Sequence, residues 1–127
     1  MRIAKRRDAA ATEIRSGTFT GIVYSDPVLR SDEGYVNDIH FTPGARTHWH
    51  VHEVAQILYV VRGRGLIGTR GGHTERLELG DVVWIPAGEE HWHGAGPDTA
   101  FAHLAVSVGE TVWLEPVDDA DYHLPPA

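Results

Sequence analysis

From Thr18 to Leu114 the chain is a succession of short runs rich in β-branched and aromatic residues, with no sustained 3.6-residue period. The runs cover residues 18–25, 35–41, 54–62, 65–69, 76–79, 82–85, 91–94, 101–108 and 111–114. Turn-forming sequences divide them: Asp26-Pro27, Pro43-Gly44, Gly63, Gly71-Gly72, Gly80-Asp81, Pro86-Ala87-Gly88 and Gly96-Pro97-Asp98. Many short strands at this spacing predict an all-β barrel or jelly roll, with a helix conceivable only at 8–15 or 117–123. Residues 1–15 hold five of the eleven Lys and Arg and read as a flexible arm or a swapped strand. The barrel is expected over 16–115 and a C-terminal tail over 116–127.

Composition removes several chemistries. The 127 residues suffice for one domain, and a formal charge of −7 argues against a nucleic-acid surface. Without cysteine there are no disulfides, thiolate metal sites or thiol nucleophiles, and the one lysine, Lys5, stands outside the strand-rich region. No apolar stretch approaches the ~18–20 residues of a membrane span and no secretory signal opens the chain, so the expectation is a cytoplasmic protein. The runs Val82-Val83-Trp84-Ile85 and Ile57-Leu58-Tyr59-Val60-Val61 are apolar on both parities. One face must meet the barrel interior and the other a second layer, which predicts a homodimer or higher even oligomer.

The polar residues with chemical content fall inside the apolar text. His48, His50 and His52 alternate, Gln56 follows, and His91 and His93 alternate again some forty residues later. Residues two apart share a face of a strand, so positions 50, 52 and 56 are expected on one side of one strand, and 91 and 93 on one side of another. Buried polar groups without partners cost about 1–3 kcal/mol each, so a set of them calls for a shared partner. Converging imidazoles make a divalent metal ion that partner.

Gly44-x5-His50-x-His52-x3-Gln56-x6-Gly63 resembles the first cupin motif, with Gln56 where the family usually has glutamate. Gly80-x5-Pro86-x-Gly88-x2-His91 resembles the second, departing from it at Ala95, where the usual motif has asparagine. The resemblance implies a small cupin β-barrel (a double-stranded β-helix, or jelly roll) with a metal held by His50, His52, Gln56 and His91. Manganese or iron is favoured over nickel or zinc. Three imidazoles and an amide leave a divalent ion its full charge, which leans toward Lewis-acid rather than redox chemistry.

The text over residues 41–106 is similar to a subgroup of small bacterial cupins associated with carboxymuconolactone decarboxylases, which includes manganese-dependent hydroxynitrile lyases. That likeness implies that His93 and His103 move a substrate proton beside the metal. It also implies pocket walls at Asn37, Ile39, Leu58, Val60 and Ser107. His48 departs from the subgroup, and is open as an extra base, a competing ligand or a loop residue. His40, His73 and His123 read as surface residues, and Trp49 and Trp92 as packing. The expectation is a metal-dependent lyase acting on a small hydroxylated or carbonyl compound. The alternatives are a metal-dependent dioxygenase and a ligand-binding cupin without turnover.

Overall fold

A computed structural model describes residues 1–5 and 11–125. Among these residues thirteen strands follow one another: β1 (Glu13–Arg15), β2 (Phe19–Thr20), β3 (Val23–Arg30), β4 (Gly34–Phe41), β5 (Arg46–Thr47), β6 (His50–His52) and β7 (Ala55–Gly63) form the first half. Then come β8 (Gly65–Thr69), β9 (His73–Leu77), β10 (Val82–Pro86), β11 (His91–Ala95), β12 (Phe101–Val108) and β13 (Thr111–Trp113). All pairings are antiparallel. One sheet runs β1-β3-β4-β12-β7-β10 and the other β13-β6-β11-β5-β2, with β8 and β9 added beside β11. No α-helix occurs among the described residues, and 117–123 are irregular chain around a turn at 119–121. Of the other helical stretch, 8–10 lie outside the described residues and 13–15 form β1, which pairs with β3 of its own chain.

Three expectations about strand boundaries change. The first run breaks at Gly21, whose positive φ of 81° turns the chain from β2 in one sheet to β3 in the other. Asp26-Pro27 is no turn: both residues lie in β3, where the register slips between Pro27 and Leu29. A bulge there lets the strand carry a proline that has no N–H for the ladder. The short strand β5 escaped the sequence reading because two residues give no periodicity, and β6 is separate from β7 rather than continuous with it.

Alternation decides what each sheet buries. The inward residues of β3, β4, β7, β10 and β12, among them Val23, Ile39, Leu58, Val60, Ile85 and Phe101, meet Phe19, Ala45, Leu77 and Ala95 from the opposite sheet in one core. A second cluster of Trp49, Leu66, Trp92 and Val117 packs outside it. The outer face of the six-stranded sheet is also apolar: the register sets Val82 beside Tyr59 and then Leu104, and Trp84 beside Ile57 and then Val106. Trp84 is 66% exposed and Val82 65%.

Close approach of β8 and β11 depends on glycines, Gly68 among them. Gly68 pairs with Trp92, and a Cβ on Gly68 would stand 2.2 Å from the indole Nε1. Gly68→Ala should therefore destabilise the fold by about 1–3 kcal/mol, the usual cost of overpacking, measured as a lower urea midpoint.

Candidate metal centre

Strand register brings the imidazoles together. His91 on β11 lies directly opposite His50 on β6, so their rings stand 4.2 Å apart between centroids. His52 and His93, two residues along each strand, occupy the same faces. Trp113 pairs with His50 from β13 and lies against its ring at 4.7 Å. Thr111 pairs with His52, and its hydroxyl is 3.1 Å from His52 Nδ1.

Gln56 does not share a strand with the histidines. The chain crosses from one sheet to the other at Glu53-Val54, so Gln56 reaches the cluster from β7, facing β6. Its partner in the register is Ser107 on β12, and the amide Nε2 donates to the Ser107 hydroxyl at 3.1 Å. The amide oxygen is thereby aimed at His91 Nε2, also 3.1 Å away.

That last contact tests whether a cation fits. His91 Nδ1 lies 2.9 Å from the Glu89 carbonyl, and His50 Nδ1 lies 3.0 Å from the His48 carbonyl. A carbonyl only accepts, so both Nδ1 atoms carry hydrogen and both Nε2 atoms of the neutral rings present lone pairs. His91 Nε2 and Gln56 Oε1 are then two acceptors facing each other. A proton does not reconcile them near neutrality, because burial depresses the His91 pKa to about 4. With the amide in this orientation, a divalent cation held by both atoms does.

His50, His91 and His93, all buried, offer nitrogens that lie within 4.8 Å of one another. Nε2 of His52 and of His93 are buried without a hydrogen-bond partner. An all-imidazole set with one amide suits a transition-metal ion.

A second imidazole pair adjoins the first. His103 Nε2 on β12 is 2.9 Å from His93 Nδ1 on β11, a contact made across the two sheets. Burial, and then the neighbouring His103, hold His93 well below the ordinary histidine range; burial lowers His103 to about 3. His50 is depressed in the same way, by burial and then by His91. The pair is therefore neutral at physiological pH and shares one N–H along the contact.

The chain matches the cupin domain family over residues 37–108. It belongs to the cupins. An (R)-mandelonitrile lyase of Granulicella tundricola is 43% identical to it over 111 residues, 82% of this chain and 85% of that one. A cupin-like protein of Thermotoga maritima superposes with a TM-score of 0.83 at 38% identity, covering 93% of this cupin and 92% of the other chain. A polyketide cyclase of Streptomyces resistomycificus shares the fold at 21% identity, with a TM-score of 0.72 over 94% of this chain and 91% of its own. No helix among the described residues is long and apolar enough to cross a membrane.

The cupin's cavity, about 210 Å³, is lined by His50, His52, Gln56 and His93, with Asn37, Ile39 and Ser107 on its wall. Leu58 and Val60, expected beside them, are fully buried in the hydrophobic core instead. Their inward parity is right, but they stand deeper in the barrel than the cavity reaches. His103 touches the cavity only through His93, its ring being packed between Phe41 and Phe101. His48 lies half-buried outside the strand, and its part in the site is made by its carbonyl, not its ring.

His40 sits on the outer face with Asp26 and Asp38. His73 and His123 are exposed, and Trp49 and Trp92 are packed in the outer cluster. Sequence reasoning missed Arg15, Phe19, Arg30, Tyr35, Thr47, Ala105, Thr111 and Trp113, which complete the lining. Only Thr111 carried a signal, as a polar residue at the head of an apolar strand.

The neutral histidines make the metal-free fold acid-sensitive. A group whose folded pKa lies below its unfolded value costs stability as pH falls from the unfolded value, ~6.5, toward the folded one. Each such histidine removes about 1.4 kcal/mol per pH unit across that window, which for His91 and His103 extends from ~6.5 to about 4 and about 3. Chelator-treated protein should therefore lose several kcal/mol between about pH 7 and pH 5 in urea titrations. An unchanged midpoint would show that the rings are not buried neutral.

Proposed function

We propose that this cupin is a divalent-metal-dependent lyase acting on a small hydroxylated or carbonyl compound, with cyanohydrin cleavage as its accessible test reaction. The carrying observation is the buried, neutral His93–His103 pair, whose His93 lines the same cavity as His50, the ring neighbour of His91. The likeness to an (R)-mandelonitrile lyase supports the same reading. His50, His52, His91 and Gln56 would hold the ion, which supplies a Lewis acid when bound.

His93 Nε2 then accepts the substrate's hydroxyl proton. The oxygen lone pair forms the carbonyl as the carbon–cyanide bond breaks, and the bonding electrons leave with cyanide. The same nitrogen returns the proton, giving hydrogen cyanide and the carbonyl compound. His103 holds the His93 ring in place through Nδ1 and sets which of its nitrogens is free. Burial keeps His93 uncharged and so able to accept.

Elemental analysis should find about one divalent ion per chain, lost in His50→Ala and in His91→Ala. His93→Ala should keep the ion and lose about 10²- to 10⁴-fold in mandelonitrile cleavage under argon, the usual share of general acid–base catalysis. Loss of the ion in that variant would instead make His93 a ligand, in line with its place among the three closest nitrogens. Full activity would remove His93 from the chemistry.

The reading includes a second copy of the chain on the apolar outer face. Val82, Trp84 and Tyr59 stand there in continuous rows, and β10 ends the sheet with no strand beyond it among the described residues. A contiguous apolar patch beside an open strand edge is the kind of surface that two-fold pairing covers. Sedimentation should show a dimer that Trp84→Glu converts to monomer, whereas a monomeric wild-type protein would remove the dimer from the reading.

A further inference from the structure

The geometry points to a small monocarboxylate that also carries a hydroxyl or oxo group as the substrate class, with Arg15 and Arg30 as its anion-recognition residues. The inference rests on the lyase reading for the identity of the cavity but not for the anion contact. The chain has eighteen acidic residues against eleven basic ones, yet among the described lining residues the permanently charged ones are Arg15 and Arg30 alone. Neither takes part in an ion pair among the described residues. Each guanidinium is parked on an aromatic ring of the same wall, Arg15 at 5.1 Å from the Phe19 centroid and Arg30 at 5.5 Å from that of Tyr35. A guanidinium resting on a ring keeps its planar donors available for a carboxylate, which it grips with two parallel hydrogen bonds.

The surroundings narrow the class. A cavity of about 210 Å³ is below the ~300 Å³ at which sites for drug-sized ligands begin. Arg30 also borders an adjoining groove that carries Asp32, Glu33, Glu53 and Glu110. A second negative charge reaching outward would meet those four carboxylates, so the site favours one carboxylate over two. Arg15 is brought to the cavity by β1, whose pairing with β3 sets Arg15 opposite Val23. The N-terminal strand thus supplies a specificity residue. Mandelonitrile, uncharged, would be a mimic that lacks the recognised group.

The test is calorimetric titration of mandelate and its neutral isostere mandelamide into the full chain, both metal-free in EDTA and manganese-loaded. Mandelate should bind the metal-free protein about tenfold tighter than mandelamide. Arg15→Gln and Arg30→Gln should each erase most of that preference while mandelamide affinity stays within about twofold, and Arg15→Lys should restore part of it. Raising salt from about 50 to 500 mM should weaken mandelate alone. Equal affinity for the two ligands overturns the proposal. So does a mandelate preference confined to the manganese-loaded protein and indifferent to both arginine substitutions. A chain that fails to hold any metal would defeat the lyase reading yet leave the metal-free arm intact, so the two failures are distinguishable.

Discussion

The pairing of β11 with β6 sets His91 opposite His50, and the rest of the site is arranged around that contact. Within each sheet the further approaches follow from a register: Thr111 to His52 and Trp113 to His50 across β13 and β6, and Ser107 to Gln56 across β12 and β7. A one-residue slip in any of these pairings would turn the side chains to the opposite face. The register is held by close backbone packing, as at Gly94, where a Cβ would stand 2.4 Å from the Ala45 carbonyl oxygen. Core packing and site geometry are therefore one property in this barrel.

What distinguishes the cluster chemically is that it carries no carboxylate. Five buried imidazoles and one amide have no counter-charge, so each ring stays neutral and its lone pair remains available. The His48 and Glu89 carbonyls decide the tautomers of His50 and His91, a role that backbone can play at any side chain. Gln56 completes the arrangement by presenting an oxygen without a charge. In a site of this kind an ion keeps its whole positive charge, and the two arginines at the cavity wall extend the same preference for anions outward.

Much of this was readable from residue types alone. Alternation of apolar residues marked most of the strands, the histidine spacing marked the imidazoles of the cavity, and the likeness to small cupins marked Asn37, Ile39 and Ser107 on its wall. The reading failed where local rules lose force. Gln56 shares parity with His50 and His52, but the intervening crossover at Glu53-Val54 puts it on another sheet, and parity does not survive a change of strand. Leu58 and Val60 point inward as alternation requires, yet depth along the barrel, which no period encodes, places them in the core. Asp26-Pro27 looked like a turn because the ability of a bulge to absorb proline depends on the neighbouring strand.

By itself, then, the sequence determined the β class, the order of the elements and which imidazoles would be inward, because these follow from side-chain alternation and turn chemistry over a few residues. The tertiary structure decided the rest: that His93 stands within 4.8 Å of His50 and His91, that His103 is its partner from the opposite sheet, and that His48 contributes a carbonyl. It also decided that Arg15 and Arg30, unremarkable in their local text, share a wall with the histidines. Those relations are distances between residues far apart in the chain, and only the pairing of strands and the facing of the two sheets set them.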